Sequence, residues 1–582
     1  MRMLSYIRKY YPLRQFALFI FLCALVGCIP AILIPVESNL IDEAILGIHQ
    51  GTAFLFPIYL GIYFALLALT SVLESLLLRN AEHHAILIDK TMDSQRLWKT
   101  TAVAFPITET QKFHDLLEKS GKAAKLDADC YKAMQGALIG SVKVITSLAV
   151  LMTIDVWLVV LLFVFLLIGI SVHSTAAKKA DGFWGEYIQN MRHANYHSSL
   201  LLHREYASER KVFGYEQEIG SRYDRDFSDA VQKNSILGKR RLHAEVVVTI
   251  FSVVYSTATF FILLHPLYVG HITLGAFIAA FTAANKLRSV SNQIYDAVFT
   301  LSSSFKQMSG FFTFLGLEET ANTMSDQTVD LSAGIEFQNV SFTYPNADTP
   351  VLENISFTLH PGKHYALVGE NGCGKTTLVK LLLGLYRATQ GTIRVGGKDI
   401  QSMTDGEKHR IFSVMFQDFY RYPLSVRENV SLSSEFSPSD KTIHSMLNTL
   451  GVRNPAVCTD GGLDTNLLHL KNGGVNLSGG EWQKVTAARC ILSGAPITIL
   501  DEPNAALDPL SEEVFYRTCA EMLTKKTTLF ISHRLGSVKQ ADEIMVLCDK
   551  KLIAMAHHEA LMGTCEYYAN LFETQRGLYY GT

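Results

Sequence analysis

Eight consecutive residues carry the most specific chemistry in this chain: Gly369-Glu370-Asn371-Gly372-Cys373-Gly374-Lys375-Thr376, followed by Thr377. A Gly, four residues and then Gly-Lys-Thr is the spacing of a phosphate-binding loop. Glycines let backbone N–H groups converge on phosphate oxygens, and a helix beginning at the loop favours negative charge at its N-terminus. Lys375 is then expected to reach the β- and γ-phosphates of a nucleotide, and the Thr376 hydroxyl to ligate Mg2+. A chance Gly-rich turn needs no particular neighbours; here residues 365–368 read as an apolar strand and residues 376–383 as a helix. Further along, Ile497-Thr498-Ile499-Leu500-Asp501-Glu502 reads as a buried strand ending in two carboxylates. Beside a phosphate loop, Asp501 is expected to hold Mg2+ through water, and Glu502 to orient or deprotonate an attacking water. Alone, the same residues would be read as a turn at a strand end. Leu477-Ser478-Gly479-Gly480-Glu481 opens an Ala-rich helix and offers a second anion-binding nest. One nucleotide cannot readily use both nests, which suggests a site shared between two subunits.

These loops need a sheet to hold them. Beyond Ile335 the sequence alternates short β-branched strands with helical stretches and Gly-rich turns, as a soluble α/β domain does. The first ~310 residues are different: six apolar runs approach the ~20 residues that span a bilayer as helix. They cover residues 16–34, 54–78, 136–153, 156–172 and 244–264, with a sixth beginning near Leu274. The expected division is a membrane domain over residues 1–320, a linker over 321–334 and a nucleotide-binding domain over 335–582. Helical stretches at 82–100 and 183–213 suggest that the spans continue as helices beyond the bilayer.

Composition agrees with that division. The 582 residues carry 52 Lys and Arg against 54 Asp and Glu, a formal charge of −2. Only 18% of residues are charged, against about 25% for an ordinary soluble chain. Hydrophobic residues make up 48%, and mean hydropathy is +0.17. These values exclude a disordered chain, and near-neutral charge gives no support to a nucleic-acid partner. Nine Cys, without metal-ligand spacing, read as reduced thiols. Arg2, Arg8, Lys9 and Arg14 precede the first run, while the loop over 35–53 has acidic residues and no Lys or Arg. The basic segments 79–131 and 173–241 belong inside, so the N-terminus and the C-terminal domain are expected in the cytoplasm of a multi-pass plasma-membrane protein. Leu25-Val26-Gly27-Cys28 also resembles a lipoprotein signal, but apolar residues 29–34 follow it, which favours an uncleaved first span.

Together the phosphate loop, the Asp501-Glu502 strand end and Leu477-Ser478-Gly479-Gly480 resemble the ATP-binding cassette transporters. The likeness is to exporter-type half-transporters, in which a six-helix all-α membrane domain is fused to one α/β nucleotide-binding domain. That resemblance implies ATP and Mg2+ as cofactors and a second half-transporter, identical or related, as partner. Each ATP would lie between one subunit's phosphate loop and the other's Ser478, Gly479 and Gly480. It implies adenine stacking by Tyr344, and Mg2+ sensing by Gln417 at the contact with the membrane domain. It also implies γ-phosphate contact by His533 and communication between cassettes through Asp508. Three departures are visible: Asn504 where Thr or Ser is usual, Glu481 where Gln is commoner, and no acidic residue in Leu470-Lys471-Asn472-Gly473-Gly474.

The sixth run offers a hint of what is moved. Asn285, Arg288, Asn292 and Asp296 recur at spacings of three and four and form one polar stripe on a helix. Charge at that depth normally faces a wet cavity or a protein partner, so the stripe is a candidate substrate path. A solvated cytoplasmic helix extension is the alternative. Lys143 and Glu245 read as lying near the inner boundary. The expectation is an ATP-driven exporter of a drug, lipid or peptide; an importer of the same fold and an ATP-gated sensor with little net transport are the alternatives. No peptidase domain is read ahead of the first span, so coupled peptide maturation is not expected.

Overall fold

A computed structural model of the chain describes residues 13–51, 54–125, 127–320, 329–345, 347–433, 437–458, 462–468, 474–502, 509–532 and 538–580. Two compact units emerge, one of Met1–Thr101 with Gln111–Leu317, the other of Ala102–Thr110 with Glu318–Thr582.

The first unit is helical. Its elements are α1 (Leu13–Gln50) and α2 (Phe56–Ala102), then, after α3 (Phe105–Thr108) of the second unit, α4 (Gln111–Lys125), α5 (Asp127–Met152), α6 (Val156–Leu202), α7 (Ala207–Phe213), α8 (Glu216–Tyr268) and α9 (Leu274–Leu315). Among the described residues, four stretches are long and apolar enough to cross a membrane: Phe16–His49, Phe56–Ala102, Cys130–Met152 and Glu216–Tyr268. Val156–Val172 is a shorter apolar stretch within α6. The sixth expected span coincides with α9, where Asn285, Lys286 and Arg288 dilute the apolar run. None of the most apolar window of α2 is buried, and Ile58, Ile62, Phe64 and Val72 stand exposed. Water would penalise that face and hydrocarbon would not. The protein is a multi-pass membrane protein.

Several helices outrun a bilayer. The 47 residues of α2 and of α6 amount to about 70 Å at 1.5 Å per residue, against a hydrocarbon core of about 30 Å. The helical stretch expected over 183–213 is interrupted: α6 ends where His203 turns extended, and α7 ends at Gly214 in the left-handed region. One apolar core joins Leu158, Leu162 and Phe165 of α6 to Val248, Tyr255 and Leu263 of α8 and to α9. Ala279, Ala280, Ala283 and Ala284 let α9 come close to its neighbours, since small side chains shorten helix–helix distance. A second core gathers Phe19, Cys23 and Val26 of α1, Leu73 and Leu77 of α2, and Met308 and Phe311 of α9.

The second unit is α/β. Its strands are β1 (Ile335–Phe342), β2 (Leu352–Leu359), β3 (His364–Val368), β4 (Gln390–Val395), β5 (Lys398–Asp399), β6 (Phe412–Met415), β7 (Ile497–Asp501), β8 (Thr527–Ile531), β9 (Glu543–Cys548) and β10 (Lys551–Ala556). Its helices are α10 (Lys375–Leu382), α11 (Asp405–Ile411), α12 (Val426–Ser431), α13 (Asp440–Thr449), α14 (Pro455–Cys458), α15 (Gly479–Leu492), α16 (Pro509–Met522), α17 (His558–Thr564) and α18 (Glu566–Tyr580). One sheet has the order β2-β1-β4-β5, and the other β10-β9-β3-β8-β7-β6. In the second sheet β3, β6, β7, β8 and β9 run parallel, with β10 antiparallel at the edge. β7 and β8 are buried along their whole length, which is why, up to the Asp501 that ends β7, they read as apolar or β-branched runs.

The short segment 102–110 belongs to this unit. Ala104 N–H donates to Glu318 O at 3.2 Å and Thr320 N–H to Ala102 O at 2.9 Å, around an antiparallel bridge of Val103 with Glu319. Glu109 accepts from Lys380 Nζ at 3.0 Å and from the Tyr386 hydroxyl. The Phe105 ring meets Tyr386 edge-on, with centroids 5.7 Å apart. Burial alone would raise the Glu109 pKa, but the two hydrogen bonds and the Lys380 charge hold it below the usual carboxylate range.

Candidate functional site

Parallel strands point their C-terminal ends the same way, and loops at those ends form the ligand crevice of open α/β sheets. The sheet order β3-β8-β7-β6 therefore brings together segments far apart in sequence. β3 runs into the phosphate loop, β7 ends at Asp501 before Glu502, β6 leads to Gln417, and β8 leads to Ser532. Register fixes the alignment: Asp501 pairs with Ile531, and Glu502 N–H donates to Ile531 O at 3.0 Å.

The loop after β3 turns tightly into α10. Gly374 is the N-cap of α10 with φ 107°, a conformation that costs an L side chain about 1–2 kcal/mol. A Cβ there would also sit 2.7 Å from Leu352 Cδ2 and 3.2 Å from Val351 O. Lys375 is buried, and its ammonium donates to Gly369 O and Glu370 O, each at 2.9 Å. Those carbonyls hold a cation at the mouth of the loop, where phosphate oxygens would meet it. Cys373 lies half-buried in the loop, and burial raises its thiol pKa. Glu370, Asn371 and Gly372 occupy the outer part of the same turn, the last at φ 82°.

Two carboxylates follow β7 in different surroundings. Asp501 is 1% exposed; burial, reinforced by the Glu502 charge, pushes its pKa up to about 6 against the pull of Lys375 and of a hydrogen bond with Thr376. Its Oδ2 is buried without a hydrogen-bond partner among the described residues. Glu502 stands at the rim, with φ 45° in the left-handed region that non-glycine residues rarely adopt. Gln417 Nε2 donates to Glu502 Oε2 at 2.8 Å. Thr376, Asp501, Glu502 and Gln417 thus converge at one end of the sheet.

Tyr344 sits beside the loop. Its hydroxyl is 3.0 Å from Thr377 Oγ1, and its ring meets Phe342 at 4.9 Å and Tyr386 at 5.3 Å, both edge-on. Tyr386 therefore links Tyr344 to Glu109 of segment 102–110, a connection that sequence spacing could not reveal.

Ser478 caps α15, and here Glu481 acquires a role. Ser478 Oγ accepts from Glu481 N–H at 3.3 Å, and Glu481 Oε2 accepts from Ser478 N–H at 3.2 Å. This reciprocal capping box, readable in the Ser-x-x-Glu spacing, fixes the start of the helix on which Gly479 and Gly480 lie. Asn504, Asp508, His533 and residues 470–473 lie outside the described residues.

The polar stripe of α9 is divided. Asn285 accepts from Ser256 Oγ at 2.6 Å and donates to Phe281 O at 3.0 Å. Arg288 Nη1 donates to Ser252 Oγ at 3.1 Å, so both residues reach serines of α8. Asp296 is exposed on α9, and the Asn292 side chain lies outside the described residues.

Comparison with known proteins adds the family. A model described as "ABC transporter" matches residues 352–505. The subtilin transport ATP-binding protein SpaT of Bacillus subtilis is 29% identical over 498 residues, covering 82% of this chain and 78% of SpaT. The nisin transport ATP-binding protein NisT of Lactococcus lactis subsp. lactis is 32% identical over 322 residues, 55% of this chain; that match spans about half, 54%, of NisT. A solved bacterial Atm1-family ABC exporter with ATP bound has a TM-score of 0.82 at 19% identity, covering 97% of this chain and 98% of that one, a likeness of fold. With an apolar helical unit joined to an α/β unit that carries phosphate loop, Ser-Gly-Gly turn and paired carboxylates, the chain belongs to the ATP-binding cassette transporters of exporter type, ATPases coupled to membrane transport.

Proposed function

We propose that two such chains, identical or related, assemble with their cassettes head to tail and export a substrate when ATP closes them. The Gln417–Glu502 hydrogen bond carries this reading, because it couples the end of β6 to the carboxylate that would act on water. Lys375 and the loop amides hold the phosphates, and Tyr344 stacks on adenine. Ser478, Gly479 and Gly480 of the second chain complete each site, and His533 and Asp508 take part in it. Mg2+ fits the donors at hand: Thr376 supplies a hydroxyl, and Asp501 a buried oxygen with no other hydrogen-bond partner among the described residues. When bound, the ion neutralises charge on the β- and γ-phosphates. Glu502 then orients or takes a proton from the attacking water, and Gln417 holds that carboxylate in place. Closure turns the membrane path outward; hydrolysis and release reset it. The N-terminus and the cassette face the cytoplasm, in keeping with the basic residues of 79–131 and 173–241. The division into a membrane domain over 1–320, a linker and a cassette over 335–582 goes with this reading.

Flux in vesicles of defined orientation tests it. ATP-driven movement of drugs, lipids or peptides away from the cassette side, lost in Glu502→Gln, is the expected result. Movement toward the cassette side, or ATP turnover with no flux for any substrate class, would overturn it.

A further inference from the structure

We infer that a cavity between α1, α5 and α9 binds an amphiphile with an anionic headgroup. The inference rests on the transport reading and deepens it by naming a substrate class. The cavity holds about 260 Å³ and is lined by Leu33 and Glu37 of α1, Lys143 of α5, and Lys286, Leu287 and Gln293 of α9, among others. Its α9 wall is the face beside the Asn285–Arg288 stripe, whose two members reach α8 instead.

Two features set its chemistry. Half of its lining residues are apolar, and the rest include two cations and one anion. Lys286 Nζ lies 3.9 Å from Glu37 Oε2, the outer limit of an ion pair, and the Lys286 side chain is 61% exposed. Lys143 Nζ is 3.2 Å from Glu74 Oε1 of α2, a residue that does not line the cavity. The lining therefore has a net charge of +1, and the loosely paired Lys286 is the group best able to take up a new anion. Lys143 lies nine residues before the end of α5, about 14 Å along the helix, well inside the bundle. Charge at such a place is costly unless it is paired or functional. Past Glu37, toward the end of α1, that helix meets the start of α9 closely. Asp42 of α1 accepts from Gly275 N–H at 2.9 Å and from the Thr273 hydroxyl, and a Cβ on Gly275 would fall 2.2 Å from Ser38 O. The site thus offers an apolar wall for a chain and an ammonium for a headgroup, the pairing that phosphate or carboxylate amphiphiles satisfy.

The test uses the full chain in phosphatidylcholine nanodiscs without nucleotide, with radiolabelled dodecyl phosphate as probe. Dodecyltrimethylammonium and inorganic phosphate are the competitors. Dodecyl phosphate should bind saturably, and neither competitor should displace it at equal concentration. Lys286→Gln should weaken binding about tenfold, the loss expected for one charge-assisted contact. Glu37→Gln should strengthen it, because Lys286 loses its competing partner; a merely structural role for Glu37 predicts no gain. Ser147→Leu, which fills the cavity without changing a charge, should abolish binding and serves if Lys286→Gln does not fold. Binding unchanged in Lys286→Gln and Ser147→Leu, or displacement by the cationic amphiphile, would overturn the inference. So would equal competition by inorganic phosphate. Because no nucleotide is present, failure of transport leaves this result standing, and ATP-driven flux without dodecyl phosphate binding would overturn the inference alone.

Discussion

Removing one hydroxyl should loosen segment 102–110 from the cassette. Tyr386 is 4% exposed, and its hydroxyl donates to Glu109, which also accepts from Lys380 at 3.0 Å. Tyr386→Phe keeps the ring and its edge-on contacts with Phe105 and Tyr344 while deleting the donor. A hydrogen bond to a charged group contributes about 1.5–3 kcal/mol when well sheltered. The Glu109 side chain is 42% exposed and keeps Lys380, so about 1 kcal/mol is the appropriate figure. That corresponds to roughly a fivefold rise in local opening. Hydrogen exchange reads it directly, because the Ala104 amide donates to Glu318 O and the Thr320 amide to Ala102 O. Both amides should exchange about fivefold faster, while strand amides of β3 and β7 keep their rates. Unchanged exchange at Ala104 and Thr320 would refute the reasoning; equal acceleration across the cassette would mean a global loss of stability instead.

Three further outcomes follow from the same geometry. Gly374→Ala, facing φ 107° and a contact of 2.7 Å to Leu352 Cδ2, should lower ATP affinity at least tenfold in a fluorescent-nucleotide titration. Ser478→Ala breaks the capping box and should cost about 1 kcal/mol, lowering the cassette's thermal midpoint by about 2–4 °C, whereas Glu481→Gln should cost less. Burial holds the pKa of His364 and His558 below their ordinary 6.5, so the unfolded chain binds protons first on acidification. Their contribution to stability is present above about pH 6.5 and lost as pH falls further; His364→Gln should flatten that slope in midpoints measured from pH 7.5 to 5.5.

The nucleotide end of the cassette was largely readable because its chemistry is local. A phosphate loop occupies eight consecutive residues, and strand β7 announces its burial through Ile497, Ile499 and Leu500. The link between Glu109 and Tyr386 could not be read that way. The two residues are 277 positions apart, and neither spacing nor composition distinguishes Glu109 from any solvated carboxylate. The polar stripe on α9 shows the limit of periodicity: a helical wheel groups Asn285 with Arg288 correctly but cannot say what lies opposite. Packing turns that face toward Ser252 and Ser256, and the adjacent face carries Lys286 into the cavity. Glu481 makes the reverse point, since its capping role was legible in the spacing while comparison with a family pattern marked it only as a departure.

The central claim is that Glu502, held by Gln417, acts on the water that attacks bound ATP. Steady-state ATP turnover and ATP retention, measured together on Glu502→Gln in reconstituted membranes, test it most directly. The account predicts a fall in turnover of about a hundredfold or more, with Mg-ATP affinity kept within a few-fold. Turnover equal to that of the unmodified chain would contradict it.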